Sequence, residues 1–211
     1  MPDCRFIQEL IDKLEVELVS AEDSAEVERK HFYITQYRNL LEGFSAFHFT
    51  PPHLLLHGSC QLRLGDVNLE LIYAGPGHTD ADLIIHIPCM KLLIAGDLVL
   101  GPNFIPVVHG IHNGSAANFE NILEKILSMQ PDWEYLIPGH GSLCGSEAVR
   151  DQLDYLKEMR LGIRQALESH LTLEQSRSSL QLDRFRHHLL YEFAHVSNLD
   201  AAWKEAAHPS S

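Results

Sequence analysis

Three short segments each run an apolar stretch into a glycine-containing turn that presents a side chain able to bind metal. They are Ala74-Gly-Pro-Gly-His78-Thr79, Ile94-Ala-Gly-Asp97 and Ile137-Pro-Gly-His140-Gly141. Strand ends are rigid platforms, and a metal site needs its side chains held to a fraction of an ångström. Glycine beside the ligand lets backbone approach closely and takes dihedrals that other residues avoid. Neutral imidazole and carboxylate both suit zinc, and a carboxylate can also bridge two metals. Singly, each segment reads as ordinary turn chemistry, because glycine beside a polar residue is common in surface turns. Their order along the chain carries more information.

The surrounding pattern supplies the elements that must position these turns. Cys60 to Leu64 and Val67 to Ile72 alternate with period two around Gly65-Asp66, which predicts a hairpin. Asp82 to Ile87 and Lys91 to Ala95 are two further strands separated by a turn at Pro88, and the apolar run Leu54-Leu55-Leu56 is counted with this sheet block. From Ser115 to Met129 the apolar residues Phe119, Ile122, Leu123, Ile126 and Leu127 recur at helical spacing, with Ser115 placed as N-cap. Tyr135 to Ile137 makes a brief strand before the Pro-Gly-His-Gly turn. Helices are predicted from Ser24 to Glu42, from Glu147 to about Glu168, after Thr172, and near Phe185 to Phe193.

The succession Pro-Gly-His-Thr, strand, turn, strand, Gly-Asp, amphipathic helix, strand, Pro-Gly-His-Gly resembles the second half of the metallo-β-lactamase superfamily, over roughly Leu54 to Leu143. The resemblance implies an α/β fold: a partial αββα sandwich, with a mixed sheet flanked by helices. It makes His78 a ligand of a first zinc, His140 a ligand of a second, and Asp97 the carboxylate shared between them and the catalytic residue. Two zinc ions would activate water for attack on an ester, thioester or lactam carbonyl of a small-molecule substrate. Thr79 and Asp80 are placed to orient His78 through hydrogen bonds. His109 and His112 resemble the variable loop at the family's active-site mouth and are substrate-contact candidates.

The family's leading motif, His-x-His-x-Asp-His, is missing. His31, His48, His53 and His57 precede His78 in other spacings. Three ligands over two metal positions leave at most two per metal, where a catalytic zinc usually has three, so weak zinc binding and an inactive site are expected of this chain alone. The missing half supplies most of one sheet, so an apolar sheet face is expected to lie uncovered. The simplest account is a fragment or a start codon assigned too far downstream. The alternative is a non-catalytic binding module or oligomer subunit that keeps the second half of the fold. Residues 1–144 are read as the partial hydrolase domain and 145–211 as a helical extension packed on it, covering one sheet face.

Composition narrows the partners. In 211 residues, 16 Lys and Arg stand against 29 Asp and Glu, a formal charge of -13 that disfavours nucleic acid and anionic membranes. Oligomeric state, a homo-oligomer included, stays open at this point. No apolar run reaches membrane-span length and no signal peptide is visible, so the cytoplasm is the default compartment. Cys4, Cys60, Cys89 and Cys144 form no Cys-x-x-Cys pair and are read as free, mostly buried thiols. Among the 14 histidines, His86 is read as a packing residue, and His187 and His188 as part of a solvated face.

Overall fold

The computed structural model describes residues 5–21, 23–44, 47–48 and 50–208. They fall into two units, Met1–Leu55 and Leu56–Ser211. Helix α1 (Arg5–Val19) and helix α2 (Ser24–Phe44) make a hairpin in the first unit. Lys30 pairs with Glu17 and Glu26, and Arg38 with Glu15, while Ile11 and Ile34 are buried. The predicted helix from Ser24 is therefore preceded by a second one.

In the second unit β1 (Cys60–Leu64), β2 (Val67–Gly75), β3 (Asp82–Ile87), β4 (Leu92–Gly96) and β5 (Tyr135–Pro138) form one sheet in that order. The first three pairings are antiparallel, and β4 runs parallel to β5. Leu64 pairs with Val67 across Gly65, whose φ of +61° supplies the tight turn the sequence signals. The run Leu54–Leu56 joins no strand and is exposed: Pro51 and Pro52 lack the N–H donors a ladder requires.

Alternation along the strands divides the sheet. Ile84, Leu93, Ala95 and Leu136 are buried in a core shared with α3 (Ala116–Ser128), α4 (Ser146–Glu168) and α6 (Tyr191–Ala207). Cross-strand register puts Leu62, Tyr73, Ile85, Ile94 and Ile137 on the opposite side. That face is apolar and partly exposed, with Leu62 at 42%, Tyr73 at 48% and Ile137 at 41%. Trp133, fully buried, donates its indole N–H to the Ile126 carbonyl and fixes the end of α3 against the approach to β5.

Helix ends follow their chemistry. Ser115 accepts from the Asn118 N–H as N-cap of α3, and the Glu205 carboxylate accepts from the Ala117 N–H at the same terminus. Thr172 and Gln175 form a capping box at the start of α5 (Leu173–Ser179). The helix predicted near Phe185 to Phe193 is instead a 3-10 turn at Asp183–Phe185, a left-handed Leu190, and α6 beginning at Tyr191. His188 is buried and bonded to Asp151 of α4 at 2.6 Å, against the expected solvated face, while His187 is exposed. His86 is buried with its ring nitrogens on Glu70 and the Asp132 carbonyl. Cys60 and Cys89 are exposed, one on an edge strand and one in a turn, so of the described thiols Cys144 alone is buried. Among the described residues no helix is long and apolar enough to cross a membrane.

A buried polar chain joins α6 to the rest of the unit. Asn198 donates to Tyr155, Tyr155 donates to His195 Nδ1, and His195 Nε2–H donates to the Leu180 carbonyl. Burial is the main cause holding the His195 imidazole below its ordinary range, opposed by the Leu180 hydrogen bond and Glu192. A base whose folded pKa is depressed is neutral in the fold, while the unfolded chain takes up a proton near its ordinary value of about 6.5. The unfolded state then binds more protons. Stability from this site is therefore present above that pH and lost as pH falls below it. Denaturant midpoints at pH 7.5 and 5.5 are expected to drop with acidification, less so in His195→Gln.

Candidate metal centre

The three glycine turns lie at one end of the sheet, beyond the C-terminal ends of β2, β4 and β5. Gly96 takes φ +53° at the end of β4 and turns Asp97 out of the strand. The turn after β5 returns to the same place, where the Gly139 N–H donates to the Gly96 carbonyl at 2.8 Å. Gly139 has no room for a side chain, because a Cβ there would lie 2.0 Å from Asp97 Oδ1.

Side chains converge accordingly. His78 Nε2 lies 3.5 Å from Asp97 Oδ2, and His140 Nε2 lies 3.5 Å from Asp97 Oδ1. One carboxylate thus faces two imidazoles with its two oxygens. Both separations are long for hydrogen bonds, but two ligands each about 2.0–2.1 Å from a tetrahedral zinc sit about 3.4 Å apart. Two imidazoles and a carboxylate are donor types that zinc takes. His78 Nδ1 is 2.7 Å from the Val107 carbonyl, which accepts its proton and leaves Nε2 with a free lone pair toward Asp97. Among the described residues no group of three or more His, Cys, Asp or Glu side chains is arranged to hold a metal ion. His78 and His140 each face one oxygen of the Asp97 carboxylate.

The partner that fixes the His78 ring is Val107, not Thr79 or Asp80. Thr79 acts on the turn: its hydroxyl donates to Asp82 at 2.8 Å, and the Asp82 carboxylate also accepts from the Gly77 and Thr79 N–H groups. Asp80 ties that turn to the following loop, its N–H donating to the His112 carbonyl and its carboxylate accepting from Asn113. Asp82 was not singled out by sequence, although a carboxylate three residues after a turn threonine is a local turn signal.

His109 packs edge-on against His78, with ring centroids 4.8 Å apart, and His112 packs on His109 at 5.3 Å. Burial, then the His78 and His112 rings, push the His109 imidazole below its usual range, while Asp97 pulls the other way. His109 lines a cavity of about 380 Å³ together with His78, Asp97 and His140, whereas His112 does not. His53 and His57 are exposed in an irregular segment.

The loop bearing Val107 is held from behind. Asn198 of α6, completely buried, accepts from the Val108 N–H at 2.8 Å and donates to the Pro106 carbonyl at 2.7 Å. Gln152 of α4 does the same for Leu100, accepting from its N–H and donating to its carbonyl. Buried amides satisfied in this way set backbone position rather than take part in chemistry.

Comparison with known proteins places this geometry. The model of the metallo-beta-lactamase superfamily matches residues 25–140. A type 2 metallo-beta-lactamase of Bacteroides fragilis is 25% identical over 91 residues, which cover 43% of this chain and 36% of that protein. One from Bacillus sp. (strain 170) is 27% identical over 99 residues, 46% of this chain and 37% of the relative. The chain thus spans well under half the length of the curated relatives it matches. Among solved structures, the stereoselective inverting sec-alkylsulfatase Pisa1 from Pseudomonas sp. superposes with a TM-score of 0.56 at 20% identity, over 74% of this chain and 26% of that one. A double mutant of the same sulfatase gives 0.60 at 18% identity, over 76% and 27%. These superpositions speak for the fold alone. Since the family model covers more than half of its residues, and the sheet and flanking helices follow the same pattern, the chain belongs to the metallo-β-lactamase superfamily.

Proposed function

We propose that the chain supplies one side of a zinc-dependent hydrolase site, acting on an ester, thioester or lactam carbonyl of a small molecule. The carrying observation is the single Asp97 carboxylate facing His78 with one oxygen and His140 with the other. His78 would hold one ion and His140 the other, with Asp97 between them. Zinc bound there supplies a water of pKa near about 7 and a Lewis acid for the carbonyl. The chain's own residues do the positioning: Val107 fixes the tautomer of His78, Asp82 fixes its turn, and Gly139 leaves room for Asp97. His109, packed edge-on against His78 and lining the same cavity, is available to hydrogen-bond a substrate or leaving group.

Each ion would receive two donors from this set, so affinity is expected to fall short of a three-ligand catalytic zinc. Turnover requires further donors to complete each shell. Zinc uptake measured by calorimetry tests the reading: weak uptake that disappears in Asp97→Ala supports it. Uptake of equal strength in that variant overturns it.

A second reading, a non-catalytic subunit, is favoured by the partly exposed apolar face bearing Leu62, Tyr73 and Ile137. Sedimentation would separate the two. Self-association lost in Ile137→Lys, together with absent zinc uptake, supports the subunit.

A further inference from the structure

The cavity that holds the metal donors has a second wall of a different character. Besides His78, Asp97 and His140 it is lined by Phe104, Val107, Leu190 and Phe193, and no lysine or arginine lines the space. Apolar contact is what this wall offers.

The wall is also built in advance. Leu189 donates its N–H to the Asn103 carbonyl at 2.7 Å and accepts from the Ile105 N–H at 3.2 Å, locking the segment before α6 to the loop that carries Phe104. Leu190 then sits at φ +68°, a conformation leucine rarely adopts, and in it lines the cavity. Phe193, one turn into α6, is 77% exposed at the same opening. A phenylalanine left in water beside a set of metal donors is hydrophobic surface that a ligand can cover.

Resting on the hydrolase reading, we propose that the substrate carries an uncharged apolar acyl or aryl group beside its scissile carbonyl, seated against Phe104, Val107, Leu190 and Phe193. A volume of about 380 Å³ has room for such a group. The carbonyl then points to Asp97 and its two imidazoles, and the leaving group to His109.

Neutral, non-hydrolysable amides test this without metal or turnover. Binding of acetamide, hexanamide and phenylacetamide to the full chain is followed by amide ¹H–¹⁵N NMR. Hexanamide and phenylacetamide are expected to bind at least about ten-fold more tightly than acetamide, since each buried methylene adds to affinity. The shifts should centre on Val107, Gly141 and Phe193. Phe193→Ala, at an exposed position that leaves folding intact, should weaken the two larger amides about five-fold or more and spare acetamide. Equal affinity for all three amides, or shifts centred elsewhere, overturns the proposal. Zinc uptake measured in parallel separates the two ideas. Uptake without selectivity for the larger amides removes only the apolar-substrate inference, and selectivity without uptake removes the hydrolase reading and leaves an apolar ligand site.

Discussion

Gly139→Ala is expected to lower divalent-metal affinity by at least about 100-fold, as loss of the shared carboxylate ligand would, while the sheet stays folded. A methyl group there would lie 2.0 Å from Asp97 Oδ1 and 2.8 Å from both Asp97 N and Gly96 C. The carboxylate can rotate away; the backbone atoms cannot yield without parting the ends of β4 and β5. Overpacking of this kind costs about 1–3 kcal/mol, which shifts stability without abolishing the fold. Gly58→Ala is the matched control, because nothing lies within 4 Å of a Cβ there. Zinc calorimetry beside thermal melts reads the outcome. Unchanged metal affinity in Gly139→Ala would mean that Asp97 is not the shared ligand.

Asn198→Ala is expected to weaken metal binding at His78 about 10- to 100-fold, although its side chain touches no metal donor. Its amide holds the Val108 N–H and the Pro106 carbonyl, on either side of the residue whose carbonyl accepts from His78. Removing it strands buried polar groups, at a cost of about 2–4 kcal/mol. Lost stability alone would not show positioning. Leu199→Ala supplies the comparison: it empties a core position on the same helix at about 2–5 kcal/mol and leaves the Asn198 amide in place. Histidine ¹⁵N NMR distinguishes them. The His78 ring should lose its preference for the Nδ1–H tautomer in Asn198→Ala and keep it in Leu199→Ala.

His78, Asp97 and His140 are legible from sequence as candidates because each stands where an apolar strand meets a glycine turn, and strand, turn and glycine are local signals. The same locality explains the hairpin at Gly65 and the Ser115 cap. What fixes the candidates in place is not local. Val107 lies 29 residues from His78, and Asn198 about 90 residues from the loop it clamps. Nothing within either neighbourhood marks them as partners. His188 reads as solvated in its polar surroundings, yet tertiary packing buries it against Asp151, 37 residues earlier. The start of α6 was misplaced for a related reason. Leu190 takes a left-handed backbone that its own sequence does not favour, imposed by the pairing of Leu189 with the Phe104 loop.

Cobalt titration of histidine-¹⁵N-labelled protein tests the central claim most directly. The account predicts that the first ring nitrogens broadened are Nε2 of His78 and His140, together, and that both responses vanish in Asp97→Ala. Broadening that begins at His53, His57 or His187, or that survives loss of the carboxylate, would contradict it.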